Sequence, residues 1–143
     1  MSSLNAKPNA IYPNLTVDLS AAIGKLVTYA NGTPAVNAST TVAAVGVVLD
    51  ARTRAIGSPI TGYDYQNAIG ILGALQGSFL GLISANANPL FFGDTVIQAN
   101  DGTLTNDPGP GTARVVVGVV GAIGGAVAGD LTEIVFIAPQ VRV

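Results

Sequence analysis

The stretch Gly24-Lys25-Leu26-Val27-Thr28-Tyr29-Ala30-Asn31-Gly32-Thr33 recurs further along the chain as Gly93-Asp94-Thr95-Val96-Ile97-Gln98-Ala99-Asn100-Asp101-Gly102-Thr103, with one inserted residue. Each copy is a short apolar run closed by Asn-Gly-Thr or Asp-Gly-Thr. Glycine at the centre of such a turn supplies the positive φ that a tight hairpin demands. Downstream, Thr40 and Val45-Gly46-Val47-Val48 recur as Thr112 and Val117-Gly118-Val119-Val120. The repeated unit reads as strand, tight turn, short strand, loop, then an apolar strand carrying a glycine. A glycine inside such a strand marks a bulge or a close backbone approach. Two copies predict an all-β chain: a small barrel or sandwich built from two duplicated strand-turn-strand units.

Composition points the same way. Val, Ile and Thr number 40, against 11 for Glu, Lys, Arg and Gln together. Branched side chains fit a pleated surface and lose rotamer freedom in a helix. Strands are expected near 25–30, 42–49, 78–84, 94–99, 113–120 and 131–138, with further short ones after the two glycine turns. Residues 20–23 suit one helical turn.

Charge and side-chain chemistry narrow the function. The chain has no Cys and no His, so disulfides, thiolate chemistry, His-based metal sites and Ser-His-Asp arrangements are all excluded. Six basic residues against eight acidic ones argue against nucleic acid, whose phosphates need clustered Lys and Arg. Asn100-Asp101-Gly102 resembles the start of a calcium loop but lacks the rest of its ligand pattern, including the terminal Glu. Asp94 and Asp130 each follow a glycine, a position suited to turn chemistry. The apolar run 115–129 is too short for a membrane span of about 20 residues. Residues 1–14 hold no apolar run, so no secretory leader is read there. No enzyme, cofactor, nucleic acid or membrane is expected.

Two segments stand apart. Residues 1–17 read as an extended N-terminal arm, or else as a disordered terminus, in front of one β-rich domain at 18–143. Proline cannot donate a ladder hydrogen bond, and Pro8 and Pro13 lie here beside Lys7, Ile11, Tyr12 and Leu15. Residues 51–67 read as a long loop carrying Arg52, Arg54, Tyr63 and Tyr65. Tyr and Arg are enriched at protein–protein hot spots, so this loop is either a contact surface or a solvated connection. The eight named side chains are the candidate partner-binding residues. A charge content of 10% is low for a lone monomer's surface, so cover by other protein is expected.

Several elements resemble the small capsid decoration (cement) proteins of tailed bacteriophages. They are Gly93-Asp94-Thr95-Val96, the Asn100-Asp101-Gly102-Thr103 turn and Val117-Gly118-Val119-Val120. To these add the Gly129-Asp130-Leu131 lead into Phe136, and Ser78-Phe79-Leu80-Gly81-Leu82-Ile83. The resemblance covers roughly residues 18–138 in pattern and composition, and leaves out the arm and the 51–67 segment. It implies a β-rich structural protein, often trimeric, made in the host cytoplasm and bound to the outer surface of the virion through the major capsid protein. The alternative from a different class is a non-enzymatic binding module on a phage fibre or surface that recognises glycans.

Overall fold

The computed structural model describes residues 10–11, 14–15, 17–30, 33–53, 65–72 and 77–143. Strands β1 (Ala10–Ile11), β2 (Asn14–Leu15), β3 (Leu26–Ala30), β4 (Thr33–Val36), β5 (Gly46–Thr53) and β6 (Tyr65–Ile71) form one sheet. Strands β7 (Ser78–Leu82), β8 (Thr95–Gln98), β9 (Leu104–Asn106), β10 (Arg114–Val120) and β11 (Leu131–Arg142) form the other. Every pairing between these strands is antiparallel, and the two sheets pack as a sandwich. A 3-10 turn, Ser20–Ala22, sits where a helical turn was expected.

The sheets follow one plan. The first runs β1-β6-β5-β3-β4 and the second β7-β11-β10-β8-β9. Leu26 faces Val47 and Val27 faces Gly46 in the first, while Thr95 faces Val119 and Val96 faces Gly118 in the second. The Gly24 N–H donates to the Val48 carbonyl at 2.8 Å, as Gly93 does to Val120 at 2.8 Å. Ile11 opposite Ile69 is matched by Phe79 opposite Ile134. The two sheets nevertheless do not meet through matching faces. Val96, Val120 and Ile134 of the second sheet join the central core with Leu26, Val47 and Leu72 of the first. Their counterparts Val27, Val48 and Ile69 lie on the far side of the first sheet, in a separate cluster with Leu19 and Ala22. The sandwich is therefore stacked front to back, and the 3-10 turn covers its outer first face.

Gly118 shows why the glycine in the apolar strand matters. The β10–β11 register shifts between Val116 and Gly118, and a Cβ on Gly118 would lie 2.3 Å from the Val135 carbonyl oxygen. Only a residue without a side chain lets the two strands close at this bulge.

Three expectations are corrected. Residues 51–67 are not one long loop: 51–53 continue β5 and 65–67 begin β6, with Thr53 opposite Tyr65. Backbone pairing across a hairpin is indifferent to the polar side chains that made this stretch read as a connection. The strand expected at 42–49 starts later, at Gly46, because residues 37–44 form a loop held by side chains. Four residues of the expected extended arm, in β1 and β2, pair with β6 at the edge of the first sheet, with Pro13 between them in sequence. A single flanking partner suits proline-bearing segments, since an edge leaves one side of the strand without ladder bonds to make. The Asp101-Gly102 turn does close β8 onto β9, with Gly102 at φ +79°. The Asn31-Gly32 turn lies outside the described residues, between strands whose ends pair as Ala30 and Thr33.

Candidate functional site

The two segments read separately as partner-binding meet on one strand. β6 carries Leu15 opposite Tyr65 on one side, and Thr53 opposite the same Tyr65 on the other. One step along, Gln66 lies between Asn14 and Arg52. Leu15 and Tyr65 thus share one register position at a corner of the first sheet, while Arg52 belongs to the next position and therefore to the opposite face. Ile11 lies further along the same strand, opposite Ile69, and is 36% exposed. Lys7, Tyr12, Arg54 and Tyr63 lie outside the described residues.

A second surface was not anticipated. At the end of the second sheet, Phe91, Phe92, Ile123 and Val127 are all exposed, Ile123 by 92%. They sit on two loops joined by reciprocal hydrogen bonds between Leu90 and Ala126, at 2.8 and 2.9 Å. The sequence signal was available in Pro89-Leu90-Phe91-Phe92-Gly93-Asp94: large apolar residues bracketed by turn formers have no strand in which to be buried.

Several buried polar groups do structural work. Gln98, fully buried, donates through Nε2 to the carbonyls of Ser39 (2.7 Å) and Val42 (2.5 Å), and its Oε1 accepts from the Ala44 N–H at 3.1 Å. It fastens the 37–44 loop of the first sheet to the second. Arg114, buried, forms an ion pair with Asp107 and donates to the Thr112 carbonyl at 3.2 Å. Burial would raise the Asp107 carboxyl, but the Gly109 N–H and the Arg114 guanidinium outweigh it and hold the group below the ordinary carboxylate range. Asp101 is likewise lowered: burial opposes, and the Thr103 hydroxyl and N–H together with Lys25 prevail.

Among the described residues no three His, Cys, Asp or Glu side chains converge in a way that would hold a metal ion. A groove of about 440 Å³ runs between residues 17–25 and β4, and its lining includes Asp18, Leu19, Lys25, Pro34 and Val36. Among the described residues no helix is long and apolar enough to cross a membrane. Comparison with protein-family models, with curated proteins and with solved structures yields no match.

Proposed function

We propose that this chain is a non-enzymatic structural protein of a bacteriophage virion, which binds the outer surface of the capsid and stabilises the shell. Its partner in this reading is the major capsid protein, and its assembled form is a homo-oligomer, a trimer by the family resemblance. The observation that carries the reading is the pairing on β6, which sets Leu15 of the N-terminal segment opposite Tyr65, with Arg52 at the next register position and so on the other face of the sheet. Tyr and Arg are residue types that anchor protein interfaces. The resemblance itself resides in strands β7, β8, β10 and β11, a stable platform from which such residues can be presented.

The test is co-sedimentation with undecorated shells assembled from a major capsid protein of the same genome. Wild-type protein is expected to pellet with the shells and to raise their melting temperature. A variant carrying Arg52→Ala and Tyr65→Ala should bind at least tenfold more weakly while keeping its strand circular dichroism. No binding by the wild type would overturn the reading. Retention on a glycan array without shell binding would favour the fibre-borne, glycan-recognising module instead.

A further inference from the structure

Strand β4 is one edge of the first sheet, and the register fixes which of its backbone groups face outward. The Asn37 N–H donates to the Leu26 carbonyl at 2.9 Å, whereas the Val27 carbonyl turns the other way and accepts from the Val45 N–H at 3.0 Å. Backbone groups alternate between the two sides of a strand. In β4, therefore, Ala35 and Thr33, opposite Thr28 and Ala30, bond to β3, while Val36 and Pro34, opposite Val27 and Tyr29, face outward. No described strand lies beyond them. Proline has no N–H, so the edge offers two carbonyls, of Pro34 and Val36, and one N–H, of Val36. The groove between residues 17–25 and β4 runs along this edge. Leu19, Ala22 and Val36 line it and pack in the outer cluster of the first sheet, which makes its floor apolar.

An open sheet edge beside an apolar groove takes an extended peptide with apolar side chains at alternate positions. The segment Leu4-Asn5-Ala6-Lys7-Pro8-Asn9, outside the described residues, has that pattern: apolar at 4, 6 and 8, polar at 5, 7 and 9. We propose that the groove is the seat of an added strand, residues 4–8 of a second copy of the chain, running antiparallel to β4 with Leu4 opposite Val36 and Ala6 opposite Pro34. In this register the Leu4 N–H donates to the Val36 carbonyl, the Val36 N–H to the Leu4 carbonyl, and the Ala6 N–H to the Pro34 carbonyl. All three open groups are then paired, and Pro8 falls past the end of β4, where no donor is needed. A slip of one residue would turn Asn5 and Lys7 into the apolar groove. A slip of two in the other direction would set Pro8 opposite Pro34 and leave that carbonyl without a donor.

Reach decides that the strand comes from another copy. Ala10 is fixed opposite Gly70 on β6, in β1, at the far edge of the same sheet. From β1 to β4 is four strand spacings, about 19 Å. The four residues from Ala6 to Ala10 span at most about 14 Å, and both faces they would have to cross are occupied, one by the second sheet and one by the 3-10 turn. Each copy therefore gives a strand from one edge and receives one at the other. Such a head-to-tail contact closes into a ring when the rotation allows. The inference rests on and deepens the oligomer part of the proposed function, whose trimer is a ring of three in this arrangement, and it is tested without any capsid.

The experiment is multi-angle light scattering of the full chain at micromolar concentration. Wild type is expected at three times the chain mass. A variant carrying Leu4→Asp and Ala6→Pro, both placed before β1, is expected at the monomer mass with unchanged strand circular dichroism. A monomeric wild type overturns the proposal, as does a variant that stays assembled. The chain has no cysteine, so cross-linking tests the register directly. Asn5 and Ala35 become directly opposed without a hydrogen bond between them, at a Cα separation of about 4.5 Å that a disulfide can bridge. Asn5→Cys chains mixed with Ala35→Cys chains should oxidise to a band at twice the chain mass, and Asn9→Cys chains in place of Asn5→Cys should give far less. Equal bands from the two mixtures would refute the register. With both Asn5→Cys and Ala35→Cys in one chain, bands at multiples of the chain mass are expected; an internal link at monomer mass would show the chain's own segment in the groove and overturn the proposal. Wild type that assembles but does not pellet with shells would count against the capsid reading only.

Discussion

Replacing Gln98 by leucine should loosen the two sheets from each other. The substitution nearly conserves volume and leaves the backbone untouched, so its cost is confined to three hydrogen bonds. The carbonyls of Ser39 and Val42 each lose a donor but keep a longer bond from Asn37 Nδ2, at 3.3 and 3.4 Å. The Ala44 N–H loses the side-chain acceptor it has at 3.1 Å, in a residue that is buried. An orphaned buried donor costs about 1–3 kcal/mol, and each weakened carbonyl adds roughly 0.5–1 kcal/mol. The extra apolar burial of leucine returns about 1 kcal/mol. The net expectation is a loss of about 1–4 kcal/mol, which for a domain of this size lowers Tm by about 3–15 °C. Thermal and urea unfolding at micromolar concentration measure it. A Tm within 2 °C of wild type, with an unchanged urea m-value, would refute the assignment of Gln98 as the clamp between the sheets. Gln98→Glu is a useful companion, because it keeps the acceptor for Ala44 but buries a charge. Burial raises that carboxyl's pKa, so the variant should be worst at neutral pH and partly recover as the group protonates on acidification.

Gly118→Ala should be far more damaging than Gly124→Ala. The first puts a methyl 2.3 Å from the Val135 carbonyl oxygen and the second meets nothing within 4 Å, so a Tm drop above 10 °C is expected for one and a change within 2 °C for the other. Gly102→Val should destabilise by about 2–4 kcal/mol in urea unfolding, since a branched residue resists a positive φ and its Cβ would also lie 2.6 Å from Val36 and 2.9 Å from the Leu26 carbonyl. Asp107 and Asp101 both have pKa values lowered by folding, so their contribution is fully present above the unfolded value of about 3.9 and is lost as pH falls through the lower folded values. Stability measured from pH 6 to pH 2 should therefore decline below about pH 4, and Asp107→Asn should flatten that decline while lowering stability at pH 7; an unchanged slope would remove Asp107 from the account.

By itself the sequence determined the β class, the Asp101-Gly102 hairpin and the glycine that marks the β10 bulge. Each of these is a local matter: branched residues favour an extended backbone, Asp-Gly favours a hairpin, and a glycine in an apolar strand signals close approach. The tertiary structure alone decided which segments pair, which faces meet and which apolar residues stay outside. Nothing local to Ala10–Ile11 and Asn14–Leu15 says that they lie against β6, because that pairing joins segments about fifty to sixty residues apart through backbone groups that every residue carries. Val27 and Val96 stand in equivalent places in equivalent strings, yet one lies beneath the 3-10 turn and the other in the central core. Periodicity reports that a strand has an apolar face and is silent on what will cover it. For the same reason Phe91 and Phe92, as apolar as anything inside, were not foreseen as surface. Their exposure is set by a turn whose Asp holds them outward and by a neighbouring loop, both of which exist only once the second sheet has assembled.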